Sequence, residues 1–242
     1  STTPPASRPR TQPSDTDPVL AAAGDIARFD CIHCGDVLTA SLIEQINPTV
    51  VLALGDEQYP SGALKDFQTG YDNTWGVFKD KTKPVPGDHE YLTPGAAGYT
   101  RYFGRAAKPK GKTYYSFDLG SWHLIALDSN IARGPGSAQE RWLRADLRAT
   151  SKRCVLAFWH APRFASRSRR GGNPSVAAFW ADLYAARAEA VLSGHWHLYE
   201  RLAPMDPNGR ADARRGIRHI VTPPYTPRWN GKVERFHQTM AR

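Results

Sequence analysis

The chain has 242 residues, 40% of them hydrophobic, which suits one large domain with a packed core. No apolar run approaches the roughly 20 residues that a membrane helix needs, so no membrane-spanning helix is expected. The formal net charge of +9 favours anionic partners such as phosphorylated substrates, nucleic acid or acidic surfaces, or else reflects a solvated basic surface.

Residues 1–18 are mostly Ser, Thr, Pro and Asp with almost nothing to bury, and they predict a disordered leader. The start at Ser1, with neither Met nor a hydrophobic signal core, fits the mature form of an exported protein, secreted or held at the periplasm or cell surface. The body then alternates strand and helix. A strand over Val19–Ala23 is followed by a helix near Asp36–Asn47 with Asp36 as candidate N-cap. Between them Cys31 and Cys34 flank His33. No second Cys-x-x-Cys accompanies them, which argues against a structural zinc finger and leaves a loop disulfide or two free thiols.

Next come a strand over Val50–Leu54 and a helix near Ser61–Trp75, whose Leu64, Phe67, Tyr71 and Trp75 recur at helical spacing. Lys83–Pro86 predicts a short strand, and Thr113–Asp118 with Trp122–Leu127 a β-hairpin. Ser137–Thr150 is an amphipathic helix, Cys154–Trp159 a core strand opened by a buried thiol, and Pro174–Arg187 a further helix. Strands at Ala190–Leu192 and Gly216–Val221 close an α/β domain over 19–221. Residues 222–242 change character and are rich in proline and turn signals.

Short strings in this frame end in hard oxygen or imidazole donors: Gly24-Asp25, Gly55-Asp56-Glu57-Gln58-Tyr59, Gly87-Asp88-His89-Glu90, Trp159-His160 and Gly194-His195-Trp196-His197. Most follow a predicted strand, and the carboxyl edge of an α/β sheet is where sites form. The donor types predict a two-metal centre. Asp56 is the natural bridge, with Asp25 and His197 on one ion and Asp88, His160 and His195 on the other. On an extended segment, His195 and His197 would point to the same side and serve one ion each. Tyr59 is either a phenolate ligand suited to iron(III) or a core residue beside the ligands. His89 follows a ligand directly and is a candidate general acid, or else orients Asp88 or a phosphate. Glu90 fits a hydrogen-bonding support, while His33, His123 and His219 show no partner pattern.

Together these strings resemble the calcineurin-like metallophosphoesterase superfamily, and within it the purple acid phosphatases and their bacterial secreted relatives. The resemblance runs from about Val19 to Val221 and includes the flanks His160-Ala161-Pro162-Arg163-Phe164 and His197-Leu198-Tyr199-Glu200-Arg201. It implies a four-layer α/β/β/α sandwich, here C-terminally truncated. It also implies Asp25, Asp56, Tyr59 and His197 around one metal, Asp56, Asp88, His160 and His195 around the other, and His89 against substrate. The metals would be iron paired with iron, zinc or manganese. Asp88 departs from the family pattern, which has Asn there. Residues 222–242 resemble the end of a DDE-type insertion-sequence transposase, with Glu234 in its Asn-Gly-x-x-Glu string, but lack that enzyme's other acids.

The implied activity is hydrolysis of a phosphorylated small molecule, a monoester, by a hydroxide held on the metals. The alternatives are a phosphodiesterase or nucleotidase on the same centre, or a catalytically impaired metal- or phosphate-binding relic. Nucleic-acid binding, suggested by the charge and the arginines of 163–170, is the weaker reading, because that run fits a basic loop near the site mouth.

Overall fold

A computed structural model describes residues 18–28, 35–166 and 172–222. Nearly all of the leader, the Cys31–Cys34 pair with His33, arginine-run residues 167–170 and tail residues 223–242 lie outside the described residues. The first half of the chain forms β1 (Leu20–Ala23), β2 (Ala27–Arg28), α1 (Gly35–Ile46), β3 (Val50–Ala53), β4 (Gln58–Tyr59), α2 (Leu64–Thr69), β5 (Thr82–Pro84), α3 (Asp88–Tyr91) and α4 (Ala97–Phe103). The second half forms β6 (Tyr115–Leu119), β7 (Trp122–Ala126), α5 (Ala138–Ala149), β8 (Cys154–Phe158), α6 (Ala177–Ala185), β9 (Ala190–Ser193), β10 (Glu200–Met205) and β11 (Ile217–Val221).

Two main sheets result. The first is parallel, in the order β1-β3-β5. The second has the order β10-β11-β9-β8-β7-β6, parallel from β11 to β7 with antiparallel edges. A small parallel pair, β2 with β4, continues beyond the ends of β1 and β3.

Burial on both faces explains the unbroken apolar runs of the central strands. Along β3, Val50 and Leu52 face the second sheet, while Val51 and Ala53 meet α1, α2 and α4. Along β8 the alternation repeats: Leu156 and Phe158 face the first sheet, and Val155 and Ala157 meet α5 and α6. The expected helix–sheet–sheet–helix sandwich is therefore present. Its middle core is Val50, Leu52, Leu54, Leu124, Leu156, Phe158 and Leu192.

Several local expectations are corrected. The helix expected over Ser61–Trp75 stops at Thr69 and continues as 3-10 turns over Tyr71–Asn73 and Trp75–Lys81. The Gln58 side chain lies against Gly70 and takes the Tyr71 N–H on Oε1 at 2.7 Å, replacing the next helical bond. The apolar spacing still works, because Phe67, Tyr71 and Trp75 are all buried. Asp36 is the second residue of α1 rather than its cap, and its buried carboxyl accepts from Thr74 Oγ1 at 3.3 Å. The strand expected over Lys83–Pro86 runs over Thr82–Pro84, and Asp88 opens the single turn α3. Cys154 is a buried free thiol, as its position at the head of a core strand predicts.

Candidate metal centre

Parallel pairing of β1 with β3 sets the first two carboxylates side by side. Beyond the strands, Asp25 N–H donates to Gly55 O at 3.0 Å and Ile26 N–H to Asp56 O at 2.9 Å. Asp25, Asp56, His195 and His197 all have left-handed backbones, with φ of 58°, 50°, 77° and 52°. Such conformations cost non-glycine residues about 1–3 kcal/mol each and persist where surrounding bonds fix them. Those bonds are present: Asp56 N–H donates to Glu90 Oε2 at 2.8 Å, and His195 N–H to Asp25 Oδ2 at 2.9 Å. The extended-segment expectation for His195 and His197 is thus corrected. A left-handed bend, not strand alternation, turns the two rings toward the cluster.

Two donor sets meet at one oxygen. In the first, Tyr59 Oη lies 2.9 Å from Asp25 Oδ1, 3.1 Å from Asp56 Oδ2 and 3.0 Å from His197 Nε2, with His197 Nε2 3.2 Å from Asp25 Oδ1. In the second, Asp88 Oδ1 lies 3.0 Å from both His160 Nε2 and His195 Nδ1, and these nitrogens are 3.1 Å apart. His160 Nε2 is 3.3 Å from Asp56 Oδ2, so that oxygen belongs to both sets. Donor atoms of Asp56, Asp88, His160 and His195 all fall within 4.8 Å of one another. An octahedral cation with bonds of about 2.1 Å has neighbouring ligand atoms about 3.0 Å apart. Asp56, Asp88, His160 and His195 form a candidate metal-binding cluster, and the structure brings every metal-ligand candidate of the sequence into two donor sets that share Asp56 Oδ2.

The electrostatics fit as well. Burial alone would depress the His160 ring, yet the Asp56 and Asp88 carboxylates overcome it and raise its pKa well above the ordinary value. His197 is raised chiefly by its hydrogen bond to Asp25. Burial would push Asp56 up, but His160 holds it below the usual carboxylate range. Positive charge is what these carboxylates require, and cations can supply it in place of the ring protons. His160 is preset for this: Nδ1–H donates to Leu54 O at 2.8 Å, which leaves Nε2 as the donor atom.

His89 sits over the cluster. Its ring meets Tyr59 edge-on at 4.5 Å, Nδ1–H donates to Pro60 O at 2.5 Å, and Nε2 is 3.9 Å from Asp56 Oδ2. Glu90 is buried and accepts from the N–H groups of Asp56, Gln58 and Gly87, so it braces the ligand loops. Burial, then the Asp56 charge, raise its pKa to about 7. Gly87 is needed for close approach, since a Cβ there would lie 2.0 Å from Asp56 Oδ1. His123 and His219 lie outside the cluster. His123, which shows no partner pattern in the sequence, bridges Asp118 and Asp146 at 2.8 Å each. His219 is buried against Trp180, and desolvation lowers its pKa to about 3.

Three residues that sequence reasoning missed follow β7: Asp128, Ser129 and Asn130, of which Asp128 and Ser129 are buried. Their signal was present, because Ala126-Leu127-Asp128 repeats the pattern of apolar run followed by acid that marks the ligand motifs.

Two facing sheets with carboxylates, imidazoles and a phenol gathered at their strand ends define a metallophosphatase fold. The chain belongs to the calcineurin-like phosphoesterase family, whose model matches residues 23–199. Purple acid phosphatase 21 of Arabidopsis thaliana is 28% identical over 222 residues, covering 84% of this chain and 49% of that protein. Purple acid phosphatase 23 of the same plant is 29% identical over 222 residues, covering 76% and 47%. The chain thus spans about half the length of the curated relatives it matches. Among solved structures, a purple acid phosphatase from yellow lupin (Lupinus luteus) superposes with a TM-score of 0.66 at 16% identity, over 84% of this chain and 43% of that one. A dimetal phosphatase from Danio rerio gives 0.59 at 16%, over 85% and 87%. At these identities the likeness is one of fold.

Proposed function

We propose that this chain hydrolyses phosphate monoesters at a binuclear metal centre held by Asp25, Asp56, Tyr59 and His197 on one side and by Asp56, Asp88, His160 and His195 on the other. The observation that carries the reading is Asp56 Oδ2, within 3.3 Å of both Tyr59 Oη and His160 Nε2. Bound there, two cations would lower the pKa of a water and neutralise phosphoryl oxygens. Tyr59 adds a hard anionic donor to one side only, which favours a trivalent ion there and a divalent ion beside the imidazole-rich set. Iron paired with iron, zinc or manganese meets both demands.

The protein's own part is orientation and proton transfer. His160 holds its ring by the Leu54 carbonyl, and Glu90 fixes the backbone of Asp56. His89 keeps its proton on Nδ1 through Pro60 O, so Nε2 can carry a second proton to a leaving oxygen. The relatives' printed names, purple acid phosphatases, support the same reading.

The test is hydrolysis of p-nitrophenyl phosphate by metal-stripped chain refilled with iron, zinc or manganese, beside bis-p-nitrophenyl phosphate and a His160→Ala control. Metal-dependent monoester turnover that the control lacks is the expected result. Preference for the diester would reassign the substrate class, and inactivity of a folded, metal-loaded sample toward both would overturn the proposal.

A further inference from the structure

Asp88 and its two imidazole partners come from different halves of the sandwich. Asp88 opens α3, beyond the first sheet, whereas His160 and His195 follow β8 and β9 of the second. Their 3.0 Å separations are therefore set by whatever fixes α3 against the second sheet. The first donor set differs, since Asp25, Asp56 and Tyr59 all belong to the first half and only His197 crosses.

The segment after β7 supplies the crossing bonds. Asn130 Nδ2 donates to Pro86 O at 3.1 Å, just ahead of Asp88. Tyr91 Oη, at the end of α3, donates to Asp128 Oδ2 at 2.6 Å. Between them Ser129 Oγ accepts from Ala161 N–H at 3.2 Å, next to His160. The segment is itself held firmly. Asp128 Oδ2 also accepts from Thr113 Oγ1 at 2.6 Å, and Gln139 pairs with both the N–H and the carbonyl of Asp128 at 2.7 and 3.0 Å. Asp128, Ser129 and Gln139 are at most 1% exposed. One strand end thus holds the Pro86 carbonyl before Asp88, the Tyr91 side chain after it and the Ala161 N–H beside His160. Glu90 ties the same turn to the first donor set, so each set has its own brace.

Resting on the two-metal reading, we propose that Asp128 and Asn130, with Tyr91 as the partner of Asp128, are positioning residues for the second cation: they hold Asp88 at ligand distance from His160 and His195 across the two sheets. None of the three touches a metal. Losing the brace lets Asp88 drift from the imidazoles while Asp25, Asp56, Tyr59 and His197 keep their geometry.

The experiment is calorimetric titration of the metal-stripped chain with manganese(II) or zinc(II), for wild type, Asn130→Ala and Tyr91→Phe. His160→Ala identifies which binding event belongs to the second cation. The expected result is about 10–100-fold weaker binding in that event, the usual loss when a residue orienting a ligand is removed. The other event should change by less than about threefold, and thermal unfolding reports that both variants are folded. A purely structural role would weaken both events together, and that outcome would overturn the proposal, as would unchanged affinity for the second cation. Failure of the wild-type chain to take up metal would overturn the metal-centre reading and this proposal with it, whereas two normal events in both variants would overturn this proposal alone.

Discussion

Asp88 carries the most exposed carboxylate of the cluster, with half its side chain open to solvent. Its Oδ1 is the atom that faces His160 and His195, and an Asn would keep that oxygen while removing one negative charge. A unit charge about 4 Å from a cation is worth about 4 kcal/mol at an effective dielectric of 20, and solvent at a half-exposed group reduces this to about 1–2. Asp88→Asn should therefore weaken the second cation about tenfold and tighten inhibition by inorganic phosphate by a similar factor. Metal titration and a phosphate inhibition series measure the two; movement of both in the same direction would contradict the charge argument. Residue types at this scale were legible in the sequence, because few roles other than metal ligation suit Asp, Asp, Asp, His and His-x-His in order. What pattern could not supply was conformation. The left-handed backbones of Asp25, Asp56, His195 and His197 arise from bonds made between segments up to 170 residues apart, such as His195 N–H to Asp25 Oδ2.

At the scale of elements, strands buried on both faces announce themselves, and β3 and β8 lie where their apolar runs predict. Edges and short turns do not. β10 is a half-exposed antiparallel edge with Pro204 inside it, and its residues carry no period that sets them apart from loop. α4 does carry one, with Tyr99, Tyr102 and Phe103 buried at helical spacing, but it spans only seven residues. The same blindness hid the clamp at His123, where Asp118 on β6 and Asp146 on α5 approach a ring on β7 from two sides. Lys152 and Ser116 stand next to the two carboxylates, 3.7 Å from Asp118 and 2.8 Å from Asp146. The hydrogen bond to Asp146 raises the His123 pKa against the effect of burial, and Asp118 adds to the rise. A raised folded-state pKa contributes stability that is fully present below the unfolded value of about 6.5 and is lost as pH climbs through the folded value. His123→Ala should accordingly cost about 1–2 kcal/mol more at pH 5.5 than at pH 9, allowing for the exposure of Asp118. Urea unfolding at the two pH values checks this, and an equal cost at both would remove the charged clamp from the account.

Across the whole molecule, the candidate donor atoms are drawn from both sheets, so metal bound by them would be coupled to folding. Asp25, Asp56, Tyr59 and Asp88 lie on the first half, and His160, His195 and His197 on the second. Asp56 raises the His160 ring against the effect of burial, and the hydrogen bond to Asp25 raises His197, so the carboxylates draw positive charge to the same place from both halves. Cations bound only by the folded state stabilise it by about 2.7 kcal/mol at a hundredfold excess over Kd. For a domain of 150–250 residues each kcal/mol moves the midpoint by about 2–4 °C, so chelation should lower it by roughly 5–11 °C. The loss should be reversible on adding metal back, and it should shrink in His160→Ala, which has already given up one side of the centre. Thermal unfolding with and without chelator measures both. A midpoint insensitive to chelator in a sample shown to contain metal would mean that the two halves are held together by the Val50–Leu192 core alone, and that the centre reports on the fold without reinforcing it.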